Sequence, residues 1–453
     1  MPTNILNLAS YTVSRVVETE HDYSVYASVT AETTRCPTCG SPRLSGFGRR
    51  EQMVRDLPAH GKRVAIYVDT RRLKCLDCST GRVATFSEPL PDVDAKRLMT
   101  ARLVKWIGHQ ALKRTFASVA EEVGCVEGTV RLIFSDYVNE LEKTVRFETP
   151  TWMGIDEIHL IRPRCVISNI RSNTIVDLLP NRNRDTVVHY LSHLDGRHQV
   201  QTVAMDMWTP YRDAVRSVMP EARIVIDKFH VVRMANDAVE RVRKSLRESL
   251  TPKQRRGLMH DRFVMLKRER DLNDKERLLL SGWTANYPEL GEAYRLKEAF
   301  YGIYEGMGTR DQALARYAAW QRSVAPEVHD AFADLIRAFT NWQPQILAYF
   351  DHPVTNAYTE SLNNLIRVMN RLGRGYSFEA LRAKILFTEG AHKNVKARPR
   401  FERRRETLGD GMVGRAMPSV ALYAGFQHDE PESDKNYGAD ISTLARLIEE
   451  GKL

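Results

Sequence analysis

Long apolar runs are missing from this chain of 453 residues: none approaches the roughly 20 consecutive residues a membrane helix needs. The start, Met1 to Asp22, has no basic stretch followed by an apolar core. A secretory leader and a membrane partner are therefore not expected, and the chain is read as cytoplasmic. Cysteine is scarce too. Six in so long a chain are too few for a disulfide scaffold. Acidic residues are in the minority, 57 against 67 Lys and Arg, and the net charge of +10 favours a polyanionic partner, nucleic acid first. What is present is ordinary for a globular protein: 43% hydrophobic, 27% charged and 8% aromatic residues, which excludes collagen-like, mucin-like and wholly disordered chains. The length suits about three domains.

Four of the cysteines form two Cys-x-x-Cys pairs, Cys36 with Cys39 and Cys75 with Cys78. In a reducing compartment such pairs indicate metal rather than disulfide, and four thiolates with no open position suit structural Zn²⁺. The first 90 residues read as short strands and turns, and the alternation from Lys62 to Lys74 predicts a strand running into the second pair. Cys125 and Cys165 stand in apolar surroundings and read as inert core residues. From Asp92 to Lys143 the apolar spacing becomes helical. Within it, Ser118 to Phe134 has a helix, a turn at Gly124 and a second helix from about Glu127, the helix-turn-helix plan, with Thr129 and Arg131 toward a DNA groove. A generic three-helix unit is the bland alternative.

From Pro150 strands and helices alternate. Trp152 to Ile155, Cys165 to Ile170 and Ile175 to Leu179 read as strands, Asp185 to Leu194 as a helix, Val200 to Met205 as a strand, Pro210 to Val218 as a helix and Arg223 to Ile226 as a strand. That is the core order of the ribonuclease-H-like fold. Helical pattern then dominates to about Phe350, with Trp283, Trp320 and Trp342 as core anchors, and one further helix is expected from about Asn356 to Phe387. Beyond it, Lys393 to Arg405 is strongly basic and His428 to Leu453 acidic.

Asp156, Asp206 and Asp227 each terminate an apolar strand. Clustered carboxylates repel, and Mg²⁺ or Mn²⁺ relieves that repulsion while accepting a substrate phosphate; two such ions serve in-line displacement at phosphorus. Asp206 is the preferred partner of Asp156. It ends the fourth strand of the core order, whereas Asp227 ends the fifth and is paired with His230 in a supporting place. Glu157 is expected on the opposite face from Asp156. On the helix after Pro353, Glu360, Asn363 or Asn364, Arg367 and Arg371 share one face, as a metal ligand beside a phosphate backbone would, or as a solvated polar face. Trp208 and Tyr211 are candidates for stacking on an unpaired base or for the core.

Four segments together resemble the ISL3-family transposases of bacterial insertion sequences: Gly154-Ile-Asp-Glu157, Met205-Asp-Met-Trp-Thr-Pro-Tyr211, Ile226-Asp-Lys-Phe-His-Val-Val232 and Thr355-Asn-Ala-x-x-Glu360. The resemblance runs from the cysteine pairs through Phe387. It implies a DDE transposase with the triad Asp156, Asp206 and Glu360, and zinc and helix-turn-helix modules that recognise terminal inverted repeats. The expected architecture is an α/β ribonuclease-H-like catalytic core with an all-helical insertion, preceded by a zinc ribbon and a helix-turn-helix domain. Its boundaries are 1–90 (zinc), 91–147 (helix-turn-helix), 148–240 (core, first part), 241–350 (insertion), 351–405 (core, last part) and 406–453 (acidic extension). The expected activity is cleavage of element ends and strand transfer into target DNA by a homodimer or larger assembly on double-stranded DNA. The alternatives are a ribonuclease-H-like nuclease and a DNA-binding regulator derived from a transposase. The acidic extension matches nothing in the family pattern.

Overall fold

The computed structural model describes residues 7–78, 85–145, 148–306 and 308–390. The basic run from Lys393 and the acidic extension lie outside these. The chain divides into two compact units, Met1–Phe147 with Val368–Thr388, and Glu148–Arg367 with Glu389–Leu453.

The first unit opens with a sheet of β1 (Tyr11–Glu18), β2 (Asp22–Val29), β3 (Leu44–Ala59), β4 (Lys62–Cys75), β5 (Thr85–Ser87), β6 (Val93–Asp94) and β7 (Met99–Thr100). The expectation of short strands is corrected here: β3 and β4 have 16 and 14 residues and pair antiparallel as one long hairpin. His60 and Gly61, both at positive φ, close it. At the open end Leu44 is opposite Cys75, so the segment carrying Cys36 and Cys39 meets the end of β4. That hairpin is why the spacing between the cysteine pairs is long. Its inner face buries Val54, Val64, Ile66 and Val68 against Val25 and Ala27 of β2, the period-two pattern of a half-buried sheet.

Three helices follow: α1 (Ala101–Lys113), α2 (Phe116–Val123) and α3 (Glu127–Thr144). The Thr100 and Thr115 hydroxyls cap α1 and α2 by accepting from the Leu103 and Ser118 amides. Gly124 ends α2 in the left-handed region, at φ 74°; a Cβ there would also lie 2.9 Å from the Arg63 side chain, so two constraints select glycine. Leu103, Ile107, Phe116, Val119, Val130 and Ile133 form the core of this domain.

The second unit contains β8 (Trp152–His159), β9 (Pro163–Asn169), β10 (Thr174–Leu179), α4 (Arg184–Ser192), β11 (Thr202–Met205), α5 (Thr209–Val218), β12 (Arg223–Ile226) and α6 (Lys228–Ser245). The sheet order is β10-β9-β8-β11-β12, antiparallel from β10 to β8 and parallel from β8 to β12. β10 and β11 are buried along their whole length, as strands covered on both faces must be. One face packs on α4 to α6 and an all-helical stretch of α7 (Pro252–His260), α8 (Arg262–Leu266), α9 (Asp274–Asn286), α10 (Pro288–Glu305), α11 (Arg310–Arg322) and α12 (His329–Asp351). Trp320 and Trp342 are buried there; Trp283 is half-buried and its indole donates to Asp261 at 2.8 Å. α12 kinks at Trp342, two residues before Pro344, whose ring removes a helical donor.

Two helices, α13 (Ala357–Gly373) and α14 (Phe378–Glu389), replace the single helix expected from Asn356 to Phe387, because Arg374 and Gly375 take positive φ. Residues 368–388, assigned above to the last part of the core, cluster with the first unit: Ala383 and Phe387 join the core of α1 to α3. There Lys384, 1% exposed, donates to the carbonyls of Ala111 and Arg114 at the end of α1.

The start of α13 packs on the other face of β8. A Cβ on Gly154 would come closer than 3.0 Å to Ser168, Asn356 and Thr359. Ser168 and Thr359 hydroxyls are 2.7 Å apart, so the side chains beneath that position are pinned. We expect Gly154→Ala to destabilise the protein by about 1–3 kcal/mol through overpacking, read as a lower thermal midpoint; an unchanged midpoint would show that α13 can move away freely.

Candidate active site

The parallel register carries three acids to the same level. Ile155 pairs with Met205 and Met205 with Ile226, so Asp156, Asp206 and Asp227 stand at one level on three adjacent strands, with Asp206 in the middle. Asp206 and Asp227 follow the last residues of β11 and β12, whereas β8 continues to His159 through its pairing with β9, so Asp156 lies within its strand and does not terminate it as expected. Oxygens of Asp156 and Asp206 and a ring nitrogen of His230 all lie within 4.8 Å of one another. His230 Nε2 is 2.9 Å from Asp206 Oδ1. Asp156 is 4% exposed; its Oδ1 accepts from the Glu157 amide at 2.7 Å and its Oδ2 from Asn363 Nδ2 at 2.8 Å. The remaining amide oxygen of Asn363 is buried without a partner. Two clustered carboxylates, with an unpartnered amide oxygen on the residue that bonds one of them, are oxygen donors of the kind a hard divalent cation takes.

Asp227 serves the scaffold. Fully buried, it caps α6 by accepting from the Phe229 amide at 3.1 Å and accepts the Asn356 amide at 3.2 Å. Asn356 Nδ2 in turn donates to the Ile155 carbonyl at 3.4 Å. The two sequence-distant segments Ile226-Asp227 and Thr355-Asn356 are thereby tied at the root of α13. Glu360 is exposed in the first turn of that helix, one turn before Asn363, and does not belong to the group around Asp156 and Asp206. Arg367 is half-buried and donates to Asn364 Oδ1 at 2.8 Å; Arg371 is exposed. Glu157 lies on the opposite face from Asp156 and pairs with Arg182.

The acids repel, and the charge balance records it. Burial, then the Asp206 charge, pushes the Asp156 carboxyl from 3.8 to about 7; burial raises Asp227 from 3.8 to about 6. Burial works against the His230 imidazolium, but the hydrogen bond and charge of Asp206, helped by Asp227 and Asp156, outweigh it and raise the ring from 6.5 to about 9. All three groups hold a proton more tightly folded than unfolded. Their stabilisation is complete below the unfolded values and is lost as pH rises, through about 6 and 7 for the acids and about 9 for His230. We therefore expect the thermal midpoint, measured without added divalent cations, to fall from pH 5 to pH 9 and Mg²⁺ to raise it most at the alkaline end. A midpoint rising across that range would contradict this charge balance.

In the first unit the four cysteine sulfurs form, among the described residues, the other group within 4.8 Å. Their spacings of 3.8 Å (Cys36 to Cys78) and 3.5 Å (Cys39 to Cys75 and to Cys78) are close to the edge of about 3.8 Å that a tetrahedron with metal–sulfur bonds of about 2.3 Å requires. Ser41 and Arg43 donate to Asp77 at 2.5 and 2.8 Å and lock the two knuckles together. On α3, Thr129 is half-buried; Arg131 is exposed, ion-paired with Glu127 and 5.1 Å over the Phe116 ring. Cys125 is half-buried and Cys165 fully buried.

Sequence reasoning assigned no role to Asn356 and left Asn363 and Asn364 undecided. The signal available was position: Asn356 precedes a helix start, and Asn363 is one turn beyond Glu360 on it.

Comparison with known proteins gives the class. Residues 153–385, just over half of the chain, match the DDE-domain model of the ISL3 group, described as a transposase. Residues 32–78 match the zinc-finger of transposases IS204/IS1001/IS1096/IS1165, and residues 88–138 the helix-turn-helix domain of transposase family ISL3. The protein is thus a transposase, of a class of enzymes that cut and transfer DNA. Similar proteins include the transposase for insertion sequence element IS1001 of Bordetella parapertussis, 25% identical over 364 residues, covering 78% of this chain and 88% of that one. The transposases for IS1557 of two Mycobacterium tuberculosis strains, CDC 1551 / Oshkosh and ATCC 25618 / H37Rv, are 26% identical over 322 residues, covering 64% of this chain and 71% of theirs. The chain belongs to the ISL3 family of insertion-sequence transposases. Among the described residues, no helix is long and apolar enough to cross a membrane.

Proposed function

We propose that this transposase binds the terminal inverted repeats of its element, hydrolyses the phosphodiester at each end and joins the freed 3′ hydroxyl to target DNA, with Asp156, Asp206 and Glu360 as its catalytic acids. The observation that carries the reading is the parallel register bringing Asp156 and Asp206 to one level on neighbouring strands. The strand order β10-β9-β8-β11-β12 with its antiparallel and parallel halves supports a ribonuclease-H-like core. Magnesium or manganese, as one or two ions held by these carboxylates, would supply the Lewis acidity that activates the attacking oxygen and stabilises the leaving one.

The protein's own part is orientation. Asn363 fixes the Asp156 carboxylate, His230 fixes that of Asp206, and the Asp227–Asn356 tie fixes the start of the helix from which Glu360 projects. The four-cysteine site holds structural zinc and keeps the open end of the long hairpin closed. Thr129 and Arg131 contribute to repeat recognition, and Arg367 and Arg371 extend from Glu360 along α13 as phosphate contacts. Two ends must be joined, so the working form on DNA is a dimer or larger. The test is incubation of the full-length protein with a labelled repeat-end duplex, a plasmid target and Mg²⁺ or Mn²⁺. Metal-dependent nicking at the repeat end followed by joining is the expected result. Binding without cleavage, or unjoined cleavage of any duplex, would replace the reading with a regulator or a nuclease.

A further inference from the structure

Beside Asp206 lies a cavity of about 330 Å³, most of whose lining has no part in the transfer chemistry. Met207, Trp208 and Met234 make its apolar wall, and Arg233, Asp237 and Glu157 give it polar edges. Two of its lining residues, Asp206 and His230, belong to the acid cluster. Trp208 is 38% exposed there. It also occupies the N-cap of α5 with no side-chain capping bond, a position that local helix rules would give to Ser, Thr, Asp or Asn. Local structure thus leaves the indole unexplained. The ring is nevertheless held in place: the Arg182 guanidinium sits 4.3 Å from its centroid, and Arg182 is ion-paired with Glu157, the neighbour of Asp156. Arg182 does not line the cavity, so it braces the indole from outside. Tyr211 differs: at 1% exposure it is part of the floor and cannot stack on anything entering.

We propose that this cavity receives one unpaired nucleobase flanking the cut phosphodiester, stacked on Trp208; the proposal rests on the reading of Asp156 and Asp206 as the cleavage site. A phosphate held at those acids brings its own nucleotide to the mouth of the cavity. A braced indole offers the sequence-tolerant π-face that unpaired bases take, and Arg233 and Asp237 offer a donor and an acceptor to the base edge. Withdrawing the base costs its stacking and pairing in the duplex. Stacking on Trp208 offsets that cost at the moment of cleavage.

The experiment uses full-length protein and repeat-end duplexes carrying 5-iodouracil at single positions around the cut, irradiated in Ca²⁺, with crosslinks mapped by mass spectrometry. A crosslink to Trp208 from one flanking position is expected, with none from positions further along. In Mg²⁺, Trp208→Ala is expected to slow cleavage of the paired duplex roughly 10- to 100-fold, the range that base stacking on an aromatic ring spans. The same variant should recover most of its rate when that base is mismatched, and Trp208→Phe should fall between. If the wild type cleaves normally but no flanking base crosslinks to the cavity, the proposal is overturned and the transposase reading stands. Equal loss on paired and mismatched duplexes would likewise overturn it, assigning Trp208 a purely structural role. A wild type that cuts no repeat end in Mg²⁺ or Mn²⁺ overturns the underlying reading as well.

Discussion

Asp156→Asn is expected to lower repeat-end cleavage by roughly 10³-fold or more, the scale of losing a group that acts at the transition state, while making the protein more resistant to heat at neutral and alkaline pH. Both halves come from one fact. Asp156 is 4% exposed next to a second acid, and burial and the Asp206 charge raise its carboxyl to about 7. A neutral amide of the same shape removes that cost. The hydrogen bonds survive the change: the Glu157 amide still finds an acceptor, and a flip of Asn363 turns its unpartnered oxygen toward the new donor. Repeat binding should stay near the wild-type value. Glu360→Gln is expected to abolish cleavage similarly but to leave the thermal midpoint unchanged, because Glu360 is exposed and makes no buried contact. Cleavage assays, binding titrations and thermal melts on the two variants check this; an active Asp156→Asn protein would remove that residue from the catalytic set.

The other large effect concerns the cysteine site. Cys75→Ser is expected to reduce bound zinc from one atom per chain to none and to open the end of the β3–β4 hairpin. Structural zinc sites of this kind contribute on the order of 10–16 kcal/mol of apparent binding free energy at neutral pH, which a ribbon with so small a core does not replace. Cys75 is buried where β4 ends, opposite Leu44, so its loss separates the two knuckles rather than fraying a surface loop. The helices α1 to α3 have their own apolar core and should persist. Metal analysis, limited proteolysis of residues 36–78 and circular dichroism together check the outcome. Full zinc occupancy in Cys75→Ser would show that the fourth thiolate is dispensable.

Much of this was readable beforehand because local rules act locally. The Cys-x-x-Cys pairs, the Gly124 turn with its flanking apolar periodicity, and Asp206 at the end of an apolar strand are each short-range patterns, and the strand and helix order of residues 152–226 follows from alternation and length. Asp156 was expected to end its strand, but β8 runs on to His159 because β9 pairs with it there. The break in the expected helix at Arg374 and Gly375 was missed because the apolar pattern on its two sides runs on without interruption. The length of β3 was missed because its outer half is exposed and polar, so it carries no alternation, and only its pairing with β4 makes it a strand.

What the sequence determined by itself is the kind of protein, its modules and the acids available for chemistry. What only the tertiary structure decided is how those acids are held. Register across β8, β11 and β12 ranks Asp206 between Asp156 and Asp227, and packing turns Asp227 into a brace for Asn356. Asn363 is chosen over Asn364 because its position on α13 faces the buried carboxylate of Asp156. Trp208 is left exposed and Tyr211 is drawn into the core by the same helix. Each of these depends on contacts between residues far apart in the chain, up to 207 positions between Asp156 and Asn363, and no local preference encodes which of two neighbouring side chains will face such a partner.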